Sequence, residues 1–184
     1  VFLCFALLGE AKVKLPTLVS DGMVLQRGEP VNIWGTADPD ETVSITFQKK
    51  KYKTVADAQG NWKVILPALK AGGPYTMIIN DIELKDILVG DVWVCSGQSN
   101  MQMPVEGWGK VKNYQQEVAQ ANYPNIRLMT VSNTISLSPS QEFTAVGGGW
   151  QVCSSGTIRE FSAAAYFFGR EIARTQQVPV GLIC

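Results

Sequence analysis

The chain has 184 residues, enough for one or two domains, and a hydrophobic share of 46% is typical of a globular protein rather than a disordered one. Sixteen basic residues balance sixteen acidic ones with no basic stripe, which argues against nucleic acid as a partner. The sequence contains no histidine, so the most common general base and the most common metal ligand are both absent. Without histidine and without a Cys-x-x-Cys pair, we expect no metal site.

The first segment, residues 1–13, is apolar and has about the length of the central region of a signal peptide. It is too short to span a bilayer, so we expect no membrane span here. We interpret it as the remnant of a signal peptide and expect the protein to be secreted, periplasmic, lysosomal or otherwise extracytoplasmic. A buried strand or an N-terminal tail is the alternative.

Four cysteines are spread along the chain. Cys4 lies in the signal-like segment, and Cys95 lies in an apolar run that is typical of a packed core thiol. In an oxidising compartment, Cys153 and Cys184 could form a disulfide, although spacing does not establish the geometry.

Between residues 14 and 86, hydrophobic residues recur at every second position and turn residues separate the stretches. This pattern predicts short antiparallel strands in a sandwich or a barrel. Gly60-Asn61 favours a tight hairpin, because both residues tolerate positive φ. The charged run Lys49–Lys51 is expected to be a solvated strand edge that discourages strand addition. The alternating stretches are Val31–Ile33, Val43–Phe47, Trp62–Leu66 and Tyr75–Ile79.

From residue 87 onward the pattern changes. The nearly continuous apolar run Ile87–Val94 is typical of a strand covered on both faces, which predicts an α/β domain over 87–184. Helices are predicted over 110–121 and 159–175, and strands over 126–131 and 178–184. The second helix should bury one face, formed by Phe161, Ala164, Ala165, Phe168 and Ile172. The glycines Gly147–Gly149 lack the residues that a phosphate loop requires, so nucleotide binding is not expected.

The candidate nucleophile is Ser99, at the polar turn that follows this apolar strand. A strand followed by a tight turn can lift a serine hydroxyl out of the fold and aim backbone N–H groups at a developing oxyanion. The turn reads Gly97-Gln98-Ser99-Asn100-Met101, so it is not the Gly-x-Ser-x-Gly elbow. Trp108, in the loop beyond, could line a sugar site or cover the loop.

The stretch Val92–Pro104 resembles the nucleophile block of the sialate O-acetylesterase family, within the SGNH hydrolase superfamily. Similar segments occur in order along almost the whole chain. They are Asp21–Arg27, Val31–Gly35, Gly72–Tyr75, Asn122–Arg127, Phe161–Arg170 and Val178–Ile183.

The resemblance implies an N-terminal antiparallel β-sandwich accessory domain over 14–86, followed by the start of a flavodoxin-like SGNH α/β hydrolase domain over 87–184. It implies hydrolysis of acetyl esters on sugars, especially O-acetylated sialic acids, with an acetylated glycan as the substrate. Ser99 would be the nucleophile and its N–H an oxyanion donor, while Gly97, Gln98 and Asn100 would support the turn. No metal or organic cofactor is implied.

The sequence departs from the family pattern in lacking the general base that would activate the serine. The family's Gly-rich oxyanion segment and its late Asp/His pair have no counterpart in these 184 residues. We therefore expect the N-terminal part of a larger esterase, inactive by itself. Lys110 is the nearest lysine after Ser99 and a poor substitute base, since nothing in the sequence brings its amine within reach.

An alternative hypothesis is that the protein is not an enzyme but a non-catalytic glycan-binding or interaction module built on the β-sandwich. Trp34, Trp62 and Tyr75 could stack on sugars there, although such residues more often belong to a core.

Overall fold

The computed structural model describes residues 13–108, 111–140 and 142–184. It has a mixed α/β architecture with one large, mainly β sheet and few helices. The signal-like segment apart from Val13, the thiol Cys4 and the candidate base Lys110 lie outside the described residues. In the described ranges, no helix combines the length and the apolarity needed to cross a membrane.

The strands of the first half follow the alternation of the sequence. Val43, Ile45 and Phe47 are at most 1% exposed, which confirms the predicted inward positions of that strand. The strands are β1 (Val24–Gln26), β2 (Val31–Thr36), β3 (Thr42–Phe47), β4 (Lys50–Val55), β5 (Asn61–Leu66), β6 (Gly72–Ile79) and β7 (Ile82–Val94).

The second half adds helices and three more strands. Its elements are α1 (Ser99–Gln102), α2 (Tyr114–Gln120), β8 (Asn122–Met129), a single 3₁₀ turn (Val146–Gly148), β9 (Gln151–Ser154), α3 (Ala163–Gln176) and β10 (Val180–Ile183). Helix α2 begins four residues later than predicted, because Asn113 adopts a left-handed conformation with φ of 59°.

Strand pairing among the described residues produces two sheets. The large sheet has the order β4-β3-β6-β7-β10-β8-β9, with β1 also paired to β7, and the small sheet pairs β2 with β5. The large sheet is antiparallel from β4 to β7 and parallel across β7, β10 and β8. The small sheet and the antiparallel part share one hydrophobic core, which includes Ile33, Ile45, Trp62, Leu66 and Met77.

The predicted hairpin at Gly60-Asn61 is wrong. Gly60 does adopt positive φ, at 80°, in a turn that begins at Asp57. However, the flanking strands β4 and β5 pair with β3 and β2 respectively, so they belong to different sheets. The turn therefore carries the chain from one sheet to the other.

Helix α3 packs on the parallel part of the sheet and closes a second core. It begins at Ala163, because the Ser162 side chain accepts a hydrogen bond from the Ala165 N–H and caps the helix. The predicted buried face is wrong at two positions, since Ala164 and Phe168 are exposed. Gly169 contacts the sheet instead: a Cβ at this position would lie 2.5 Å from a Leu182 methyl carbon. The smallest residue of the helix therefore allows the closest approach.

Strand β7 belongs to both parts of the large sheet. Its first half pairs with β1 and β6, and Asp91–Val94 pair with β10, so the strand passes without a break through the domain boundary expected at 86/87. The expectation that β7 is covered on both faces fails at its end. Trp93 is 42% and Val94 is 75% exposed, because no described element packs over them fully.

The two parts meet at Gly90-Asp91. The Asp91 N–H donates to the Pro179 carbonyl at 2.9 Å, and the Arg27 N–H donates to the Gly90 carbonyl at 2.8 Å. The Arg27 guanidinium also donates to both Asp91 carboxylate oxygens, at 2.7 and 3.0 Å. This junction connects the end of β1, the middle of β7 and the start of β10.

We predict that Gly90→Ala destabilises the chain strongly. A Cβ at Gly90 would overlap the backbone carbonyl of Pro179, which cannot move without breaking the junction. The free energy of unfolding should fall by about 3 kcal/mol, measured by urea denaturation. Gly156→Ala is the matched control, because its nearest neighbour would be 3.8 Å away. Equal stability of the two variants would contradict this account of the junction.

Candidate functional site

Ser99 lies just beyond the carboxyl end of β7, as the first residue of α1. Strands β7, β10 and β8 are parallel, so their carboxyl ends meet at one edge of the sheet. Sites in α/β sheets collect at this edge. Ser99 and its neighbours Gly97, Gln98 and Asn100 are all exposed, so the structure presents the predicted residues to solvent together.

The turn that carries Ser99 is tight. The Gln98 carbonyl accepts hydrogen bonds from the Met101 and Gln102 N–H groups, both at 2.9 Å. A Cβ at Gly97 would lie 2.8 Å from the Cβ of Met101, so this close approach requires glycine. Gly97 thus supports the turn by its lack of a side chain.

The loop after α1 is fastened to the start of α3. The Ala163 N–H donates to the Met103 carbonyl at 2.8 Å, and the Val105 N–H donates to the Phe161 carbonyl at 3.1 Å. The Ser162 hydroxyl also reaches the Met101 sulfur at 3.4 Å. The loop therefore holds the turn from its far side, while β7 holds it from the near side.

A cavity of about 330 Å³ opens at the same edge of the sheet. Sequence reasoning did not identify its polar lining. The carboxyl-end rule could have indicated part of it, since Ser132 and Asn133 follow β8 and Cys184 follows β10. The polar side chains at this cavity are Gln102, Thr130, Ser132, Asn133, Glu160, Ser162 and Cys184.

Cys95, Cys153 and Cys184 are all free thiols, so the disulfide considered between Cys153 and Cys184 is not formed. Burial raises the pKa of the Cys153 thiol to about 12. Burial also raises the pKa of Cys95, helped by the neighbouring Cys184, and the pKa of Cys184, which a hydrogen bond with Ser162 partly offsets. All three therefore remain protonated near neutral pH and are poor nucleophiles.

The aromatic residues proposed for sugar stacking have different environments. Trp62 is 3% exposed and belongs to the core, which excludes it as a stacking surface. Trp34 is 36% and Trp108 is 65% exposed, so each of these two side chains is accessible for stacking on a sugar. Tyr75 is half-buried and packs against the first core. In the described ranges, no group of three or more Cys, Asp or Glu side chains is placed to hold a metal ion.

Known proteins resemble this chain over nearly its whole length, although no protein-family model matches it. Sialate O-acetylesterases from Pongo abelii and Homo sapiens are 33% and 32% identical to it over 92% of the chain. The crystal structure of a carbohydrate acetylesterase from Xanthomonas citri superposes with a TM-score of 0.87 and 38% identity, over 94% of the chain. By sequence, the chain resembles the sialate O-acetylesterase family over part of that family's length.

The chain spans only part of these relatives. It matches 36% of the length of each of the two sialate O-acetylesterases and 40% of the Xanthomonas citri enzyme. The family resemblance read from the sequence is thus confirmed for part of the family's length. Ser99, near the middle of the chain, lies within this matched part.

We predict that Cys153 resists alkylation in the folded chain. Its thiol is fully buried and its raised pKa leaves little thiolate at pH 8, whereas Cys184 is partly exposed. Native chain treated with iodoacetamide at pH 8 should be modified at Cys184 first, and at Cys153 only after denaturation, as measured by peptide mass spectrometry. A disulfide-linked Cys153–Cys184 peptide, or equally fast modification of both thiols, would contradict the structure.

Proposed function

We propose that this chain carries the nucleophile of a carbohydrate esterase that removes O-acetyl groups from sialic acids or related acetylated sugars. The observation that carries the proposal is the exposed Ser99, held on a tight turn at the carboxyl edge of a parallel sheet. The relatives, sialate O-acetylesterases and a carbohydrate acetylesterase, supply the acetyl ester and the sugar.

The proposed reaction has two steps. The Ser99 hydroxyl oxygen attacks the acetyl carbonyl carbon while a base accepts its proton, and the sugar hydroxyl leaves with a proton, which gives an acetyl-serine. Water then attacks the acetyl-serine carbonyl and releases acetate and the free hydroxyl. Neither step requires a metal or an organic cofactor.

The turn supplies part of the oxyanion stabilisation. Ser99 begins α1, so its N–H precedes the first intrahelical hydrogen bonds and is available to a ligand. We propose this N–H as one oxyanion donor. Gly97, Gln98 and Asn100 keep the turn in shape: Gly97 permits the contact with Met101, and the Gln98 carbonyl closes the first turn of the helix.

We propose that the general base lies outside these 184 residues. The sequence holds no histidine, and the three described thiols remain protonated near neutral pH. The relatives are nearly three times as long as the part matched here, which leaves ample length for the missing partners. The 184 residues should therefore be inactive on their own.

We further propose the wider organisation that the family resemblance implies. The part with the antiparallel strands is an accessory domain, and the parallel part is the beginning of a flavodoxin-like SGNH hydrolase domain that continues beyond this chain. An extracytoplasmic location, whether secreted, periplasmic or lysosomal, fits an acetylated glycan substrate.

We predict that Ser99 is essential when the missing partners are supplied. The test is a chimera in which this chain replaces the matching part of the Xanthomonas citri enzyme, assayed with 4-nitrophenyl acetate and O-acetylated sialic acid. Ser99→Ala should lower kcat/KM by about 10⁴-fold, because a nucleophile and its base act as a unit. Ser96→Ala, at an exposed serine of the same loop, should retain activity.

Cooperative thermal unfolding of both variants establishes that the comparison is between folded proteins. An active Ser99→Ala chimera would refute the assignment of the nucleophile. The 184-residue chain alone should hydrolyse the aryl acetate at the buffer rate, with or without Ser99. Turnover by the chain alone that disappears in Ser99→Ala would show that the base is already present and would overturn our placement of it.

A further inference from the structure

The β3–β4 hairpin forms a second cavity, far from Ser99, which the proposed catalytic chemistry does not use. Its volume is about 490 Å³, and its walls come from the hairpin tip, the connection between β5 and β6, and β6 itself. We call it the hairpin cavity. Its lining residues are Gln48, Lys49, Lys50, Tyr52, Pro67, Ala68, Leu69, Lys70 and Tyr75.

The structure divides the lysine-rich hairpin into two faces. Gln48 and Lys49 form the turn, both with positive φ, at 47° and 64°. Lys50 lies opposite Phe47 and Tyr52 opposite Ile45 in the β3–β4 pairing, so these two side chains share the face that the buried residues of β3 use. Because side chains alternate along a strand, Lys51 and Lys53 face the other way.

A solvated edge explains only some of these lysines. β4 is an edge strand of the large sheet. Lys51 and Lys53 face outward there and protect the edge from strand addition. Lys50 on the inner face, Lys49 at the turn and Lys70 across the cavity serve no such purpose. The cavity lining contains no carboxylate, and none of these three lysines forms an ion pair with any residue that the structure describes.

Two tyrosines give the cavity an aromatic wall. Tyr52 and Tyr75 are half-buried and pack against the first core. The Tyr75 ring meets Phe47 edge to face, with centroids 5.8 Å apart and an interplanar angle of 81°. Its hydroxyl lies over Gly72, where a Cβ would come within 2.7 Å. These contacts fix the Tyr75 ring before any ligand arrives.

We propose that the hairpin cavity binds an anionic sugar, a glycan unit that carries a carboxylate. Three lysines without carboxylate partners among the described residues provide the positive charge, and two half-buried tyrosines provide apolar faces and hydroxyl groups for a sugar ring. The negative charge of the ligand is inferred from the three lysines of the cavity. The choice of a sugar, rather than another organic anion, rests on the proposed function.

The hairpin cavity and Ser99 cannot hold the same sugar unit. Tyr75 pairs with Ile87 of β7, and the seven residues from there to Val94 span roughly 23 Å at about 3.3 Å per residue. The cavity therefore binds a different part of the glycan, or a neighbouring glycan, and concentrates acetylated chains near the nucleophile.

The test is calorimetric titration of the 184-residue chain with sialyllactose, whose terminal sugar carries a carboxylate. Lactose is the neutral sugar control and inorganic phosphate is the small-anion control. We expect saturable binding of sialyllactose that weakens as salt is added, and at least tenfold weaker binding of lactose. Equal binding of lactose, or phosphate binding as tight as that of sialyllactose, would overturn the proposal, as would no binding of sialyllactose.

Two double variants with the same change in net charge locate the site. Lys50→Glu with Lys70→Glu should weaken sialyllactose binding at least tenfold, because it reverses two charges at the cavity. Lys51→Glu with Lys53→Glu should change binding less than twofold, because it alters only the outward face. All four positions are exposed, so both proteins should fold, which circular dichroism checks. Equal losses in the two variants would overturn the location.

This test is independent of catalysis. Ser99→Ala should bind sialyllactose like the unmodified chain, since Ser99 is remote from the cavity. Binding without Ser99-dependent hydrolysis in the chimera would reject the proposed function alone. Hydrolysis in the chimera without sialyllactose binding to the chain would reject the hairpin cavity alone.

Discussion

The structure depends on one strand, β7, that joins the antiparallel and the parallel parts of the large sheet. Along β7 the backbone first pairs antiparallel with β6 and then parallel with β10, so the position of either ladder determines that of the other. The change of partner occurs at Gly90-Asp91, where Pro179 approaches too closely for any side chain. Arg127, which is nearly fully buried in β8, adds a second link through its ion pair with Asp86 at 2.8 Å. Relative movement of the two parts would break both links.

The nucleophile turn receives its geometry from this arrangement. Ser99 follows β7 by five residues, so the register of the parallel ladder fixes where the turn begins. The pairing of the loop after α1 with the residues before α3 fixes where it ends. Two separate parts of the sequence thus hold a short exposed segment that has no buried residue of its own in α1.

Sequence patterns correctly predicted those features that depend on residues close together in the sequence, such as the burial of strand residues. Alternation placed Ile45 and Phe47 inside, and the strand-to-turn transition placed Ser99 at an exposed position. The pairing partners of the strands were not predictable in this way. The turn sequence at Gly60 is compatible both with two strands that pair in a hairpin and with two strands of different sheets. The buried face of α3 was misjudged because the pattern weights large side chains, whereas the tight fit of Gly169 on Leu182 decides the contact. The cavity at the same edge of the sheet as Ser99 combines residues that follow β8, precede α3 and follow β10, which only the tertiary fold brings together.

The position of β10 has a consequence for the order in which the molecule assembles. β10 is the last described strand to be synthesised, yet it lies between β7 and β8 in the sheet. On a ribosome, β7 and β8 therefore cannot form their parallel ladders until β10 emerges and inserts between them. Such pairing between distant parts of the sequence is slow, because loop closure must precede the contacts that stabilise it. We expect the antiparallel part to fold first. The edge of β7 that pairs with β10 then stays exposed until β10 inserts and completes the sheet below the nucleophile.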